Sequence, residues 1–217
     1  MDKGLLKVQW EEINKYSDED ITYFLFLEGK SLEVISTIRN INKEVVQKHI
    51  IDGKIKYGLL AKSKNEKELL KNISKAGKMD KLDIINSLQE DMRAKLIAYI
   101  RKNYVEMYSK EKETAIWIIG ELKEKSCIDI LIKASVHKFV NVRRMAISAM
   151  GKIEDITLEI PLIRALDDEN DQVVLYAIKA LSKIKSIKAK EKIMLVYNNA
   201  KKDYLKIAAE KYMGVIK

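Results

Sequence analysis

The chain has 217 residues, 41 Lys and Arg against 32 Asp and Glu, a net charge of +9, one cysteine and one proline. A single cysteine excludes an internal disulfide, and two histidines, His49 and His137, without a Cys or second His at ligand spacing give no metal constellation. Scarce Gly and Pro beside abundant Leu, Ile, Ala, Lys and Glu favour helix throughout, in a chain long enough for one to two domains around a sizeable core.

The opening stretch MDKGLLKVQWEEINKYSDED has no apolar h-region, so no secretory signal is expected. No apolar run approaches the ~20 residues that a membrane span needs. The expectation is a soluble cytoplasmic protein with no membrane contact, no metal and no cofactor. Leu5, Leu6, Val8 and Trp10 read as a short element docked on the helices after it, with Trp10 as its anchor.

Residues 18–54 predict three helices. The first is Ile21–Leu27, ended by Gly29. Ser31 caps a second that runs to about Arg39, and Asn42 caps a third that runs to about Asp52 and ends at Gly53. Ser and Asn suit these positions because a short side-chain oxygen accepts from an orphan N–H of the first helical turn. Leu25, Leu32, Ile35, Ile38, Ile41, Val45, Val46 and Ile50 are spaced to close a small three-helix core, and Asn40–Asn42 has the length of a helix-turn-helix connection. Gly29, Ser31, Ile35, Arg39, Ile41, Val46 and His49 carry a resemblance to the helix-turn-helix at the C-terminus of RecQ-type helicases and, more loosely, to the DNA-binding domains of response regulators. Ser36 replaces a usual alanine, and Val45 replaces a usual threonine that contacts phosphate. The resemblance implies that the third helix enters the major groove, with Ser31, Asn42, Lys43, Gln47 and Lys48 as the nucleic-acid-binding set. Seven acids against five bases in this segment oppose that reading, since duplex binding draws on positive charge. A packing or protein-contact module is the alternative, and His49 falls on the side the family buries.

Residues 55–110 are basic, thirteen Lys and Arg against seven acids. EKELLKNISKA and DKLDIINSL predict two short helices separated by Gly77, and EDMRAKLIAYIRKNYVEMY a longer one with Leu96, Ile97, Ile100, Tyr104 and Met107 on its apolar side. SKNEK at 63–67 is the best linker candidate. The longer helix can cap the repeats next to it in the chain.

Residues 111–217 repeat with a step of 31. Ala115, Ala146, Ala177 and Ala208 share one register, and Ile116, Ile147, Ile178 and Ala209 the next. Leu122, Ile153, Ile184 and Val215 close each segment, and Gly120 and Gly151 match with Ser182 in the third copy. Between them run Leu131, Leu162 and Ile193, then Ile132, Ile163 and Met194, then Ala134, Ala165 and Val196. A fixed step with small and large apolar residues in separate columns predicts a solenoid, each unit burying its apolar face against its neighbours. Each unit reads as two helices, with Asn141 and Asp171 as N-cap candidates. Cys127, where a second helix begins, reads as a small buried apolar residue.

AIWIIGELKEKSCIDILIKA, AISAMGKIEDITLEIPLIRALDDENDQVV and AIKALSKIKSIKAKEKIMLV resemble short HEAT-like repeats of the bilin-lyase type. The Val-Arg pair of that pattern is complete only at Val142 and Arg143, and Asp129 or Asp155 is the expected partner of Arg143. The second helices conventionally line the concave face of such a solenoid, which makes Lys133, Arg164, Lys188 and Lys192 the candidate partner-binding residues.

The sequence therefore predicts an all-α chain: an N-terminal helix-turn-helix domain (1–54), a basic helical connector and solenoid cap (55–110), and a short HEAT-like α-solenoid of antiparallel helix pairs (111–217). Beside a bilin lyase, which the repeat type alone implies, three functions stay open. One is a non-enzymatic binding protein that contacts double-stranded DNA through its N-terminal module. Another is a protein–protein scaffold for an acidic partner. The third is a HEAT-like DNA alkylation-repair glycosylase using Trp117 and Asp129, although no spacing singles out a catalytic pair.

Overall fold

The computed structural model describes residues 2–216. It is all-α apart from a two-stranded antiparallel ribbon, β1 (Asp2–Lys3) with β2 (Leu6–Lys7). The chain divides into two compact units, Met1–Tyr99 and Ile100–Lys217.

In the first unit α1 (Asp18–Leu27) opens at Ser17, whose hydroxyl accepts from the Asp20 N–H at 3.2 Å, with Asp18, Glu19 and Asp20 in the favoured first turn. α2 (Leu32–Arg39) is capped by Ser31 through the Val34 N–H at 3.3 Å. It ends at Asn40, in the left-handed region at φ 52, a place Asn tolerates. α3 (Lys43–Lys62) is capped by Asn42 through the Val45 N–H at 2.8 Å. Ile35, Val46 and Ile50 form the centre of this unit, with Leu25, Phe26, Leu32 and Ile41 packed against them. Ile38, expected in that core, is exposed. Outside it, Phe24 is ringed by Trp10, Tyr16 and Tyr57, and the Trp10 indole N–H donates to Glu28 at 2.7 Å, which docks the N-terminal stretch as expected.

Gly53 does not end a helix. α3 continues nine residues further, to Lys62, and Gly53 lies in its middle. A Cβ there would overlap the Tyr23 side chain of α1, so this glycine lets two helix backbones approach around a buried ring. Position 54 is thus inside one continuous helix.

α4 (Glu66–Lys75) and α5 (Lys78–Ser87) come next, with Leu69, Leu70, Ile73, Ile84 and Ile85 buried. The stretch 63–67 is not an open linker: 63–65 is a tight connection, and Glu66 and Lys67 already belong to α4. Ser63 is buried and bonds the Leu59 carbonyl, Asn72 donates to it, and Asn65 caps α4. α6 (Glu90–Asn103) spans the division between the two units.

The second unit is a stack of helix pairs. Long helices α7 (Ser109–Glu121), α9 (Val140–Ile153), α11 (Asp171–Lys183) and α13 (Asp203–Val215) alternate with α8 (Ile128–Ala134), α10 (Glu159–Arg164) and α12 (Lys190–Asn199). The columns of the sequence are the core. Ala115, Ala146 and Ala177 are fully buried, as are Ile116, Ile147, Ile178 and Ala209, with Ala208 close behind. Leu131, Leu162 and Ile193 line the short helices. Cys127, Leu158 and Ala189 form a further buried column one unit apart, so the cysteine is a core residue whose thiol burial pushes to a higher pKa. Each Ile or Leu so buried stabilises the fold by roughly 1.5–3 kcal/mol. At the outer end the seam relaxes: Val215 is exposed.

Two N-cap candidates are displaced by one position or more. α9 begins after Phe139, and α11 after Asn170, whose side chain accepts from the Gln172 N–H at 3.0 Å. Asn141 and Asp171 lie just inside their helices.

Candidate functional site

The long helices close up through glycine. A Cβ on Gly120 would lie 2.8 Å from Ala149 Cβ, and one on Gly151 3.0 Å from Ala180 Cβ. Glycine on one helix therefore faces alanine on the next, and the same fit recurs one repeat later. Backbone fixed this closely presents side chains at equivalent places along the stack.

A ladder of ion pairs also joins successive repeats, and of its cations only Lys152 and Lys183 stand one step apart in the sequence. Lys125 meets Asp155 at 2.8 Å, Lys183 meets Glu154 at 2.8 Å, Lys188 meets Glu159 at 3.0 Å, and Arg101 meets Asp129 at 3.4 Å. Lys152 pairs with Glu121 and Lys192 with Asp167. Water screens pairs this exposed, so each adds little to stability, but together they hold six of the cations in this unit. The Glu159 carboxyl lies below the ordinary range because Ser186 and then Lys188 bond it.

Arg143 is the buried member of the ladder. Its partner is neither Asp129 nor Asp155 but Asp168, in the turn ahead of α11. Asp129 is engaged by Arg101 and Asp155 by Lys125, which leaves the acid of the following turn as the one that packing delivers. The fork is bidentate, Nε to Oδ2 at 2.6 Å and Nη2 to Oδ1 at 3.0 Å, and Nη1 donates to the carbonyls of His137 and Lys138.

Of the partner-binding candidates, Lys133 and Arg164 occupy the same register on α8 and α10 and are exposed. Among the described residues neither has an ion-pair partner. The next residue in that register is Leu195, also exposed. Lys188 and Lys192 are different: both are held by acids of the preceding repeat.

In the first unit, Ser31 and Asn42 spend their side-chain oxygens on helix caps, and Lys43 is paired with Glu33 at 3.1 Å. Gln47 and Lys48 remain exposed on α3. His49 is half-buried, with Nδ1 3.2 Å from the Thr22 hydroxyl. Trp117 is half-buried on α7, and Asp129, its supposed companion, is held by Arg101. Among the described residues no group of three His, Cys, Asp or Glu could hold a metal, and no helix is long and apolar enough to cross a membrane.

Sequence reasoning misses the ladder because its partners lie one repeat apart. The repeat-spaced signal belongs to the turns instead: Glu124, Asp155 and Ser186 stand one step apart, and each uses its side chain to cap the turn after it. No curated protein matches the chain. Residues 94–174 match a family model described as HEAT repeats, which agrees with the stacked helix pairs of an all-α HEAT-like solenoid.

Proposed function

We propose that the chain is a non-enzymatic repeat scaffold that binds an acidic protein. The observation that supports this best is the row formed by Lys133 and Arg164. Two cations stand in one register on successive short helices, exposed and, among the described residues, without acids of their own, while Lys188 and Lys192 of the following repeat are held by acids. Half-buried Ile132 and Ile163 sit beside them, so the row joins charge to apolar surface, the mixture a protein interface uses.

Reading of duplex DNA by the N-terminal module has less behind it. Of its five candidate residues, Ser31 and Asn42 serve as caps and Lys43 is paired, which leaves Gln47 and Lys48 on a segment richer in acids than bases. A duplex reader needs several unpaired cations to offset phosphate repulsion.

The test is fluorescence anisotropy with labelled polyglutamate and, in parallel, a labelled duplex over a range of salt. Polyglutamate should bind, and the double variant Lys133→Gln/Arg164→Gln should weaken it about tenfold, the scale of two lost charge-assisted contacts. Duplex binding that falls steeply with salt, survives that change and is lost in Lys43→Ala/Gln47→Ala would replace the scaffold with a DNA reader.

A further inference from the structure

The repeat register exposes one junction whose charges are reversed. At the junction of α9 with α11, Arg143 is tied to the carbonyls of the turn before its own helix and grips Asp168 and, at 3.4 Å, Glu169 of the next turn. One repeat earlier, Lys112 takes the place of Arg143. Its ammonium is tied in the same manner, at 2.8 Å each, to the carbonyls of Val105 and Met107. The residues that answer to Asp168 and Glu169 are His137 and Lys138.

His137 keeps half of the aspartate's role. Its Nδ1 accepts from the Phe139 N–H at 3.1 Å, as Asp168 Oδ1 accepts from the Asn170 N–H at 2.9 Å. It lacks the second acceptor that would receive Lys112. Among the described residues Lys112 has no carboxylate within ion-pair distance. Burial, then Lys112, Lys138 and Arg143, hold the imidazole below its ordinary pKa, so the junction is a cluster of cations around a neutral ring.

Apolar side chains flank this cluster at the same edge. Tyr108 and Phe139 occupy the N-cap positions of the neighbouring helices α7 and α9, and Val105 and Val136 sit in the turns before them. Tyr108 is 82% exposed and Val105 75%. The pair Val105 and Tyr108 recurs one repeat on as Val136 and Phe139 and is followed by Asp167 and Asn170, so the Lys112 junction has apolar side chains in both of its turns and the Arg143 junction in one.

We propose that an acidic side chain of a partner protein docks at the Lys112–His137–Lys138 junction, supplying the carboxylate that Asp168 supplies to Arg143, while apolar neighbours in the partner rest on Tyr108 and Phe139. A phosphate backbone would satisfy the cations but not the four exposed apolar side chains beside them, which is why a protein segment fits better. This inference rests on the scaffold reading and places a second contact on it.

The experiment uses the full chain and a short fluorescent peptide alternating Glu with Leu, with a version in which Gln replaces every Glu. The Glu peptide should bind about tenfold more tightly than the Gln peptide, as expected for charge-assisted contacts. The double variant His137→Asp/Lys138→Glu rebuilds the acid pair in place. It should raise the melting temperature and cut the preference for Glu to what the Lys133–Arg164 row alone gives. Lys112→Gln should cut that preference as well, and Tyr108→Ala/Phe139→Ala should weaken both peptides alike. If the rebuilt variant prefers the Glu peptide as strongly as the unaltered chain does, the junction is not the site. If only Lys133→Gln/Arg164→Gln removes the preference, the junction proposal falls and the scaffold stands. If neither peptide nor polyglutamate binds while duplex does, both fall together.

Discussion

The guanidinium of Arg143 clasps the carboxylate of Asp168 in the next repeat through two parallel hydrogen bonds, of 2.6 and 3.0 Å, and both side chains are about nine-tenths buried. A pair withdrawn from water this far is costly to break, because one charge is left without a partner. Asp168→Asn and Arg143→Ala should each lower unfolding free energy by about 3 kcal/mol in urea titrations. The double variant Arg143→Met/Asp168→Leu should lose less than either single change, since it leaves no orphaned charge. Equal losses from all three would mean that the guanidinium's bonds to the His137 and Lys138 carbonyls matter more than the ion pair.

Acid should loosen the solenoid in a defined window. The Lys125 hydrogen bond, then those from Thr157, hold the Asp155 carboxyl down at about 2. For Asp168 burial favours the neutral acid, yet Arg143 and the Asn170 N–H outweigh it and leave the carboxyl below the ordinary 3.8. Both groups are stronger acids folded than unfolded, so as pH falls the unfolded chain takes up protons first. Their contribution is complete above about 4 and drains away as pH drops toward the folded values. Melting temperatures measured from neutral pH downward should fall through this window, and Asp168→Asn should have a lower but flatter acid limb.

Packing of the long helices makes a sharper prediction at Gly120. Alanine is the better helix former by about 1 kcal/mol, so a Gly120→Ala change on an open helix would stabilise. Here the new methyl would meet Ala149 Cβ at 2.8 Å and its Cα at 2.9 Å, with backbone behind it. Overpacking of that kind costs about 1–3 kcal/mol and should win. Gly151→Ala has slightly more room, 3.0 Å to Ala180 Cβ and 3.4 Å to its Cα, and should lose less. Moving the methyl across the seam, Gly120→Ala with Ala149→Gly, should recover part of the loss. The third copy carries Ser182 because the residue that answers to Ala149 and Ala180 is the exposed Lys211 of the last helix.

The repeats are legible in the sequence because a solenoid writes its contacts as a period. Ala115, Ala146 and Ala177 need only their spacing to announce a shared environment. Caps are legible for a similar reason: Ser31 and Asn42 act on N–H groups three residues away. Gly53 is not. Inside a run of helix formers it reads as a stop, and only Tyr23, far back in the chain and across a helix interface, explains it. Arg143 has several acids within a plausible span, and the choice of Asp168 depends on how one turn packs on the next. Lys188 and Lys192 read as free surface charge for the same reason, since their acids sit one repeat back. The reversed junction at Lys112 becomes visible only when two junctions are laid over each other.

The ends of the repeat helices carry strain at a fixed interval. Lys123, Glu154 and Lys185, each one repeat apart, adopt positive φ values of 51, 57 and 52. At Lys123 and Lys185 the surrounding bonds are those of a Schellman turn: the next residue's N–H reaches back to Ile119 at 2.9 Å and to Leu181 at 3.0 Å. That turn favours glycine, because a Cβ in the left-handed region costs about 1–2 kcal/mol. Glycine also loses more chain entropy on folding, which takes back roughly 0.5–1 kcal/mol. Lys123→Gly and Lys185→Gly should therefore each stabilise by about 0.5–1 kcal/mol, additively, since the two sites lie two repeats apart. Glu154→Gly should gain less, because Glu154 also receives Lys183 at 2.8 Å. Urea midpoints of the three variants check the order, and a loss of stability in Lys123→Gly would show that its side chain does more than occupy the turn.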